Sequence, residues 1–261
     1  MGMTDNDTDS SGRQIDAVEN AFNIIESIQE LEQCGVTELA DQLDIPKSTA
    51  HIHLQTLRNL GYVVKEDGKY QLGLRFLELG GRVRHNRSIF QAARSEVDEL
   101  ARSTGEVGTI GYEENGQRVL VYRTEPFEGV SDNAPTGEFT RMHWTAVGKA
   151  LLSQRTDDEI RDIVDRFGLP RATENTITEL DELLNEIDEI RTQGYSIENE
   201  ERVQGVKSIA IPIRDDANQA GNSAISISGP KHRFDDERIE SELLSALRNA
   251  ANVIELQYKH Y

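Results

Sequence analysis

The sequence VTELADQLDIPKSTAHIHLQTLRNLGYVVKEDGKY, residues 36–70, decides the fold of the first part of this chain. Leu39 and Leu43 lie four positions apart and predict a short helix, for which Thr37 can supply the N-terminal cap. Pro46 ends that pattern, because a proline pushes the preceding residue out of the helical region and itself suits the first position of a helix. Two short helices joined by a tight turn are therefore expected.

The second helix is predicted to run from Pro46 to Leu60 and to stop at Gly61, a residue typical of helix ends. Its apolar side consists of Ala50, His53, Leu54 and Leu57. The side chains expected to face DNA from this helix are Lys47, Ser48, Thr49, His51, Gln55 and Arg58. Two helices of which the second projects polar donors form the helix-turn-helix arrangement that reads the major groove of DNA.

A β-hairpin is predicted directly after this helix. The β-prone runs Tyr62 to Lys65 and Lys69 to Leu72 flank an Asp67-Gly68 turn, which is a strong hairpin signal. The hairpin is the wing of a winged helix-turn-helix, with Lys65 and Lys69 available to phosphates. Charge agrees with this interpretation, because residues 45–65 contain no Asp or Glu although the chain contains 47. A winged helix that contacts only another protein is the alternative.

Composition bounds the rest of the chain. Its 261 residues allow for two domains, and its formal net charge is -19. Acidic side chains spread over the predicted surface helices keep a protein soluble in molar salt, where the screening length is short. We therefore interpret the charge as typical of a halophilic archaeon, in preference to an acidic surface that serves a partner.

Other features exclude several classes of protein. The single cysteine, Cys34, excludes an internal disulfide and a metal site with several cysteines. No apolar run approaches the roughly 18 residues needed to span a membrane. The N-terminus is rich in Asp, Thr and Ser and does not resemble a signal peptide. A cytoplasmic protein without cofactor or metal is expected.

Helices are predicted on both sides of the winged helix-turn-helix. Arg13 to Gln33 has apolar residues at helical spacing and precedes it. Helix is expected again at Leu74 to Val83 and at Ile89 to Arg102. Between them lies a basic linker, with the arginines Arg82, Arg84 and Arg87. These arginines are expected to contact the DNA backbone or a partner subunit, or to remain solvated.

The second half of the chain alternates between strands and helices. A β-hairpin is predicted around Asn115-Gly116, and three helices follow between Thr145 and Gln193. Further strands are predicted at Tyr195 to Ile197, Ser208 to Arg214 and Ser223 to Ser228, before a closing helix from Asp235 to Tyr258. Strands flanked by helices in this order indicate an α+β domain.

A set of short motifs resembles the IclR family of transcriptional regulators, and the resemblance covers nearly the whole chain from about Arg13. The motifs are Pro46-Lys47-Ser48-Thr49, Gly61-Tyr62-Val63, Tyr70-Gln71-Leu72-Gly73, His143-Trp144-Thr145-Ala146-Val147-Gly148-Lys149-Ala150, Thr173-Glu174-Asn175-Thr176-Ile177-Thr178, Gly194-Tyr195-Ser196 and Ser226-Ile227-Ser228-Gly229-Pro230. The resemblance implies a tail at 1–12, a winged helix-turn-helix at 13–78, a linker helix at 79–95 and a GAF-like effector-binding domain at 96–261. It also implies a homodimer or a dimer of dimers on double-stranded DNA.

Two residues of the second helix depart from the family pattern. Ile52 stands where the family often has Arg, and His53 stands where it has Leu. We therefore assign the DNA contacts by their chemistry. Gln55 can bind adenine in a bidentate manner, the hydroxyl and imidazole groups near the helix start can reach base edges, and the basic side chains hold phosphates. A palindromic operator follows from the symmetry of a dimer.

A candidate effector site is predicted at Ala146 and Val147. These small residues begin a helix, where backbone N–H groups and the helix dipole favour an anion. The resemblance implies that the same site contains Glu198, Ser208, Ser226 and Ser228. Such a set suits a small carboxylated or polyhydroxylated metabolite, and we expect backbone amides, and no Lys or Arg, to select the anion.

An enzyme is the main alternative to a regulator. His143, Lys149 and Glu198 are possible acid or base groups, but the sequence contains no nucleophile and base at a recognisable spacing. His51 and His53 are two positions apart on a helix and point in different directions, so they do not chelate one metal. A zinc site that combines His143 with remote ligands stays open. The preferred interpretation is a metabolite-controlled DNA-binding regulator that is not an enzyme.

Overall fold

The computed structural model describes residues 15–126, 134–214 and 222–258. It divides into two compact units, one up to Arg82 and one from Val83 onward. The tail predicted at residues 1–12 lies outside the described residues. None of the helices in the described ranges is both long and apolar enough to cross a membrane.

The first unit is a winged helix-turn-helix, as predicted. Its elements are α1 (Asp16–Leu31), α2 (Val36–Gln42), α3 (Lys47–Asn59), β1 (Val63–Glu66) and β2 (Lys69–Leu72). Its core contains buried side chains from every element, among them Ile28, Leu39, Leu54, Val63 and Tyr70. Because Asp67 and Gly68 both have positive φ angles, of 48° and 85°, they form the tight turn that joins β1 to β2.

The predicted cap of α2 is wrong. The N-cap residue is Gly35, whose N–H group donates to Glu38 Oε2 at 3.4 Å. Thr37 therefore lies inside the first turn of the helix. A carboxylate three residues after the cap position can accept from the N–H group of the cap residue. The helix can therefore begin at Val36, without a hydroxyl group at the cap position.

Two helices follow the winged helix-turn-helix along the chain, α4 (Arg75–His85) and then α5 (Ser88–Thr104), which belongs to the second unit. The continuous helix implied for residues 79–95 is thus interrupted at Asn86 and Arg87. Arg87 is the N-cap residue of α5 and has an extended conformation, with φ of -81° and ψ of 116°.

The second unit contains one antiparallel sheet with the strand order β5-β4-β3-β8-β7-β6. The strands are β3 (Val107–Glu114), β4 (Gln117–Thr124), β5 (Phe139–Thr140), β6 (Ser196–Asn199), β7 (Val206–Ile213) and β8 (Ser223–Pro230). The short edge strand β5 was not predicted, because two residues carry no readable alternation. The predicted α+β class is confirmed.

Besides α5, the described part of this unit contains the helices α6 (Ala146–Leu152), α7 (Asp157–Phe167), α8 (Leu180–Gln193), α9 (Asp236–Arg238) and α10 (Leu244–Tyr258). A π-helical turn, Ile239–Leu243, separates α9 from α10, so the predicted closing helix is not regular throughout. Isoleucines on one face of the sheet, including Ile110, Ile209 and Ile225, form a core with α5 and α10. The other face is covered by α6.

The start of α6 lies very close to the segment before it. A Cβ atom on Gly148 would lie 2.1 Å from the carbonyl oxygen of Met142 and 2.4 Å from its Cα atom. Real Cβ contacts are not this short, and backbone atoms cannot rotate away as a side chain does. Only glycine therefore fits at position 148, where α6 lies directly against the backbone of Met142.

We expect Gly148→Ala to lower the free energy of unfolding by about 1 to 3 kcal/mol or more, because the added methyl group overpacks a site bounded by backbone. Thermal or urea unfolding measures this loss. Gly80→Ala in α4 is the matched control, since nothing lies within 4 Å of its added Cβ atom. That variant should gain up to about 1 kcal/mol from helix propensity. An equal effect of the two substitutions would contradict the close approach at α6.

Candidate DNA interface and effector cavity

Helix α3 presents the polar surface that the sequence predicts. Ala50, Leu54 and Leu57 are buried, and His53 is half-buried at the edge of the core. Five of the six predicted DNA-facing side chains of α3 are exposed, and Thr49 is half-buried: Lys47, Ser48, Thr49, His51, Gln55 and Arg58. The helix therefore offers donors and positive charge to a partner on the side opposite its core.

Ile52 is the exception on this surface, since 64% of it is exposed. On a helix it shares a row with Ser48, four residues before it, and with Gln55, three residues after it. An apolar side chain at this place suits the methyl group of a thymine in the major groove. From the sequence, Ile52 was recognised only as a departure from the family pattern.

The two lysines of the wing leave opposite faces of the hairpin. Lys65 pairs in register with Tyr70, and its Nζ atom lies 4.9 Å from the centroid of the Tyr70 ring. Lys69 pairs with Glu66 and is the neighbour of Tyr70 along the strand. Because neighbouring residues of a strand point to opposite faces, the two lysines reach different phosphates if both contact DNA.

The linker arginines make contacts of several kinds. Arg82 lies 3.3 Å from Glu78, one turn away on the exposed side of α4. Arg84 lies over the ring of Phe90 at 4.9 Å. Arg87 forms an ion pair with Glu114 at 2.8 Å and lies over the ring of Tyr112. Arg87 is thus held by the sheet of the second unit.

The six residues predicted for the effector site line one cavity in the second unit: Ala146, Val147, Glu198, Ser208, Ser226 and Ser228. The cavity has a volume of about 60 Å³. Thr109 and Thr145 contribute further hydroxyl groups to its wall. The first and last of the six, Ala146 and Ser228, are more than 80 positions apart in the sequence, and the structure brings them together.

The register of the sheet explains this grouping. Glu198, Ser208 and Ser228 are direct partners across β6, β7 and β8. Thr109 and Ser226 are partners across β3 and β8, and their hydroxyl oxygens lie 2.5 Å apart. Residues that pair in register share a face, so these polar groups form two adjacent rows toward α6. The pairing could not be read from the separate strand motifs.

Both carboxylate oxygens of Glu198 accept hydrogen bonds from the chain itself. Ser208 Oγ donates to Glu198 Oε2 at 2.6 Å, and the N–H groups of Glu201 and Arg202 donate to Oε1 at 2.9 and 3.3 Å. Burial raises the pKa of the Glu198 carboxyl, and these hydrogen bonds oppose the rise. Glu198 therefore holds the turn after β6, and through it the backbone of Arg202.

The cavity also contains Arg118, Arg123 and Arg202. These guanidinium groups were not expected from the sequence, which assigned the selection of the anion to backbone amides and to no Lys or Arg. Arg118 and Arg202 both contact Glu138, at 3.3 and 2.6 Å, and Arg123 contacts Glu125 at 2.7 Å. Sequence reasoning missed the arginines because β4 and the turn after β6 are remote from α6 along the chain.

The start of α6 retains its expected geometry. Thr145 is the N-cap residue, and its hydroxyl oxygen accepts a hydrogen bond from the N–H group of Gly148 at 2.9 Å. Ala146 and Val147 are the first two helical residues, whose N–H groups have no acceptor within the helix itself. Both residues line the cavity.

The groups considered for an enzyme or a metal site are separated. His143 lines a different cavity from Glu198, and its Nε2 atom lies 3.1 Å from the carbonyl oxygen of Pro170. Burial lowers the pKa of His143. Among the described residues, no three His, Cys, Asp or Glu side chains come together as metal ligands. The geometry therefore does not favour a site built from His143 and Glu198.

Lys149, considered above as an acid or base group, is fully buried, and it does not line the cavity. Its Nζ atom donates to Glu201 Oε1 at 2.7 Å and also to Glu186 Oε1. Burial raises the pKa of Glu201 to about 7, although the charge of Lys149 opposes the rise. Glu201 Oε2 is buried and accepts no hydrogen bond from the described residues. Glu201 can therefore bind a proton near neutral pH.

Comparisons with known proteins agree with the fold of both units. The helix-turn-helix profile of the IclR family matches residues 17–67, and the profile of the C-terminal domain of bacterial IclR transcriptional regulators matches residues 81–256. The HTH-type transcriptional regulator KdgR of Escherichia coli (strain K12) is 33% identical, over 99% of this chain and 98% of its own.

Solved structures match over nearly the whole length. Thermotoga maritima IclR is 26% identical and has a TM-score of 0.76, with 94% of this chain and 99% of that chain covered. An IclR homologue from Microbacterium hydrocarbonoxydans, complexed with 4-hydroxybenzoate, is 21% identical and has a TM-score of 0.80. That alignment covers 94% of this chain and all of the homologue. At this identity the second likeness concerns the fold alone.

We expect the stability of the chain to fall as pH rises from the ordinary Glu value of 4.5 toward 7 through the titration of Glu201. A carboxyl with a higher pKa in the folded state than in the unfolded state binds its proton preferentially when folded, so deprotonation disfavours folding. Glu201→Gln should remove this contribution. The melting temperature of the variant should therefore rise relative to that of the wild type as the pH increases from 5 to 8.

Glu186→Gln is the matched comparison, because it removes the other carboxylate partner of Lys149 and leaves Glu201 in place. The negative charge of Glu186 contributes to the raised pKa of Glu201. In this variant the fall in stability should therefore occur at lower pH. A constant difference between Glu201→Gln and the wild type at every pH would show that Glu201 does not titrate in this range.

Proposed function

The chain belongs to the IclR family of transcriptional regulators, and from this premise we propose that α3 reads the operator while the cavity under α6 binds the effector. The protein is a DNA-binding regulator with an effector-binding C-terminal domain. One observation supports this division of roles most. The six predicted effector residues line one cavity of the second unit, whereas the exposed surface of α3 belongs to the first unit. The proposed boundaries are 13–78, 79–95 and 96–261.

On the operator, the residues of α3 have two kinds of role. Gln55 makes a bidentate contact to an adenine, and Ser48, Thr49 and His51 reach neighbouring base edges. Ile52 adds an apolar contact to a thymine methyl group. The basic side chains Lys47, Arg58, Lys65 and Lys69 hold phosphates and supply affinity that does not depend on sequence.

The protein functions as a homodimer or a dimer of dimers. Support comes from apolar side chains that the first unit leaves exposed: Phe22 of α1 is 57% exposed, Leu74 just before α4 is 83% exposed, and Leu77 in α4 is 70% exposed. Exposed apolar surface of this kind is typical of an interface. Two recognition helices related by a twofold axis read half-sites about 10 bp apart, so the operator is a palindrome.

The effector is a small metabolite with a carboxylate and hydroxyl groups. Serine and threonine hydroxyls line the cavity together with the guanidinium groups of Arg118, Arg123 and Arg202. The protein acts in the cytoplasm, where its operator is, and its net charge of -19 fits the cytoplasm of a halophilic cell. Catalysis is not part of this function.

Gln55→Ala should relax the preference for one base pair of the operator and weaken operator binding by about 1 to 3 kcal/mol. Arg58→Ala is the matched control on the same helix, and it should weaken operator and random DNA equally and reduce the dependence on salt. Binding measured on the footprinted operator, on its single-base variants and on random DNA separates the two. An equal loss on all three sequences for Gln55→Ala rules out its role in base recognition.

Replacing both Ser226 and Ser228 by Ala should abolish the response to the effector and leave operator binding intact. Each lost hydrogen bond is worth about 1 kcal/mol, and somewhat more with a charged ligand. Release from the operator is measured with a panel of small hydroxy acids and sugar acids, and affinity for the active compound by calorimetry. An undiminished affinity in the double variant places the effector elsewhere.

A further inference from the structure

Arg118 and Arg202 share one carboxylate at the edge of the cavity. Arg118 belongs to β4 and Arg202 to the turn after β6, yet each directs a guanidinium nitrogen to a different oxygen of Glu138. The side chain of Arg118 is only 6% exposed and that of Glu138 is 22% exposed. Both arginines, but not Glu138, line the cavity. Glu138 therefore pairs with two guanidinium groups that also line the cavity, although Glu138 itself does not line it.

The position of Glu138 is determined by the sheet. Its carbonyl oxygen accepts from the N–H group of Leu120 at 3.0 Å, and the N–H group of Gly137 donates to the Leu120 carbonyl at 2.7 Å. Glu138 directly precedes β5, which pairs with β4. The backbone of Arg202 is fixed as well, because its N–H group donates to Glu198. The backbones that carry Glu138, Arg118 and Arg202 are thus fixed by hydrogen bonds, and this brings the three charged side chains together.

Electrostatics makes the Glu138 carboxylate replaceable by another of the same kind. A buried guanidinium requires an anion or good acceptors, because its desolvation costs several kcal/mol. Arginine binds any carboxylate with the same planar geometry. A carboxylate that enters the cavity offers Arg118 and Arg202 what Glu138 offers, whereas a neutral hydroxylated molecule does not.

We propose that Glu138 is a built-in competitor that occupies Arg118 and Arg202 until the carboxylate of an acidic effector displaces it. This inference rests on the proposed effector function of the cavity and adds the place and orientation of the ligand. The carboxylate end lies at Arg118 and Arg202, and the hydroxyl end lies toward Ser208 and Ser228. Ligands without a negative charge do not displace Glu138 and are excluded by it.

The test uses acetate as a minimal carboxylate and acetamide as its neutral analogue. Melting temperatures of the full-length protein are measured with increasing sodium acetate, at a sodium concentration held constant with sodium chloride. Removal of a competitor that occupies a site nine-tenths of the time raises the apparent affinity of a ligand about tenfold. Glu138→Ala should therefore bind acetate about tenfold more tightly than the wild type, with no gain for acetamide.

Three further variants make the result specific. Glu114→Ala removes a carboxylate from Arg87, an ion pair of the same unit outside the cavity lining, and should behave as the wild type. Arg118→Gln combined with Glu138→Ala should lose the gained acetate affinity. If Glu138→Ala does not fold, Glu138→Gln, which keeps the shape of the side chain, should show the same gain. An acetate response that is equal in the wild type and in both Glu138 variants overturns the proposal.

The acetate measurement does not involve DNA, so its outcome is independent of the regulatory function. If acetate gains affinity in Glu138→Ala while the Ser226 and Ser228 double variant keeps its full effector response, the carboxylate site is real and the effector site lies elsewhere. If acetate gains nothing while the double variant loses its response, the cavity is the effector site and Glu138 is not a competitor.

Discussion

The fully buried ammonium group of Lys149 is the constraint around which the second unit is arranged. A buried charge is tolerated only when opposite charge and hydrogen bonds compensate its desolvation. Lys149 on α6 is compensated by Glu186 on α8 and by Glu201 in the turn after β6. These three elements are separated along the chain, so their convergence on one cation fixes where α6 lies relative to the sheet.

The geometry of the cavity follows from that arrangement. Glu201 is held by Lys149, and its own N–H group donates to Glu198, which also accepts from Ser208. The turn after β6 is therefore anchored at both acidic residues, and it carries Arg202 to the cavity. Glu198 acts as a part of the scaffold, because hydrogen bonds from the chain itself already engage both of its oxygens.

Charge is distributed differently in the two functional regions of this acidic protein. Helix α3 keeps its exposed surface free of acids, which leaves several cationic and polar groups to meet phosphates and bases. In the cavity, by contrast, the arginines are paired with glutamates of the same chain. DNA, with its many phosphates, needs positive charge that is available on the surface. A small acidic effector can instead be selected because its carboxylate replaces a carboxylate of the chain.

The sequence by itself determined the winged helix-turn-helix, since local signals specify it: the apolar spacing of Leu54 and Leu57, Pro46 at a helix start and the Asp67-Gly68 turn. It also indicated the α+β class, and the family motifs indicated six residues that the structure places in one cavity. Only the tertiary structure decided the register that aligns Glu198, Ser208 and Ser228, the engagement of Glu198 by the chain, and the arrival of Arg118 and Arg202 at the same cavity. These features arise from pairing between distant strands and from compensation of buried charge. Neither leaves a periodic pattern in the sequence, because both depend on which remote segments the fold brings together.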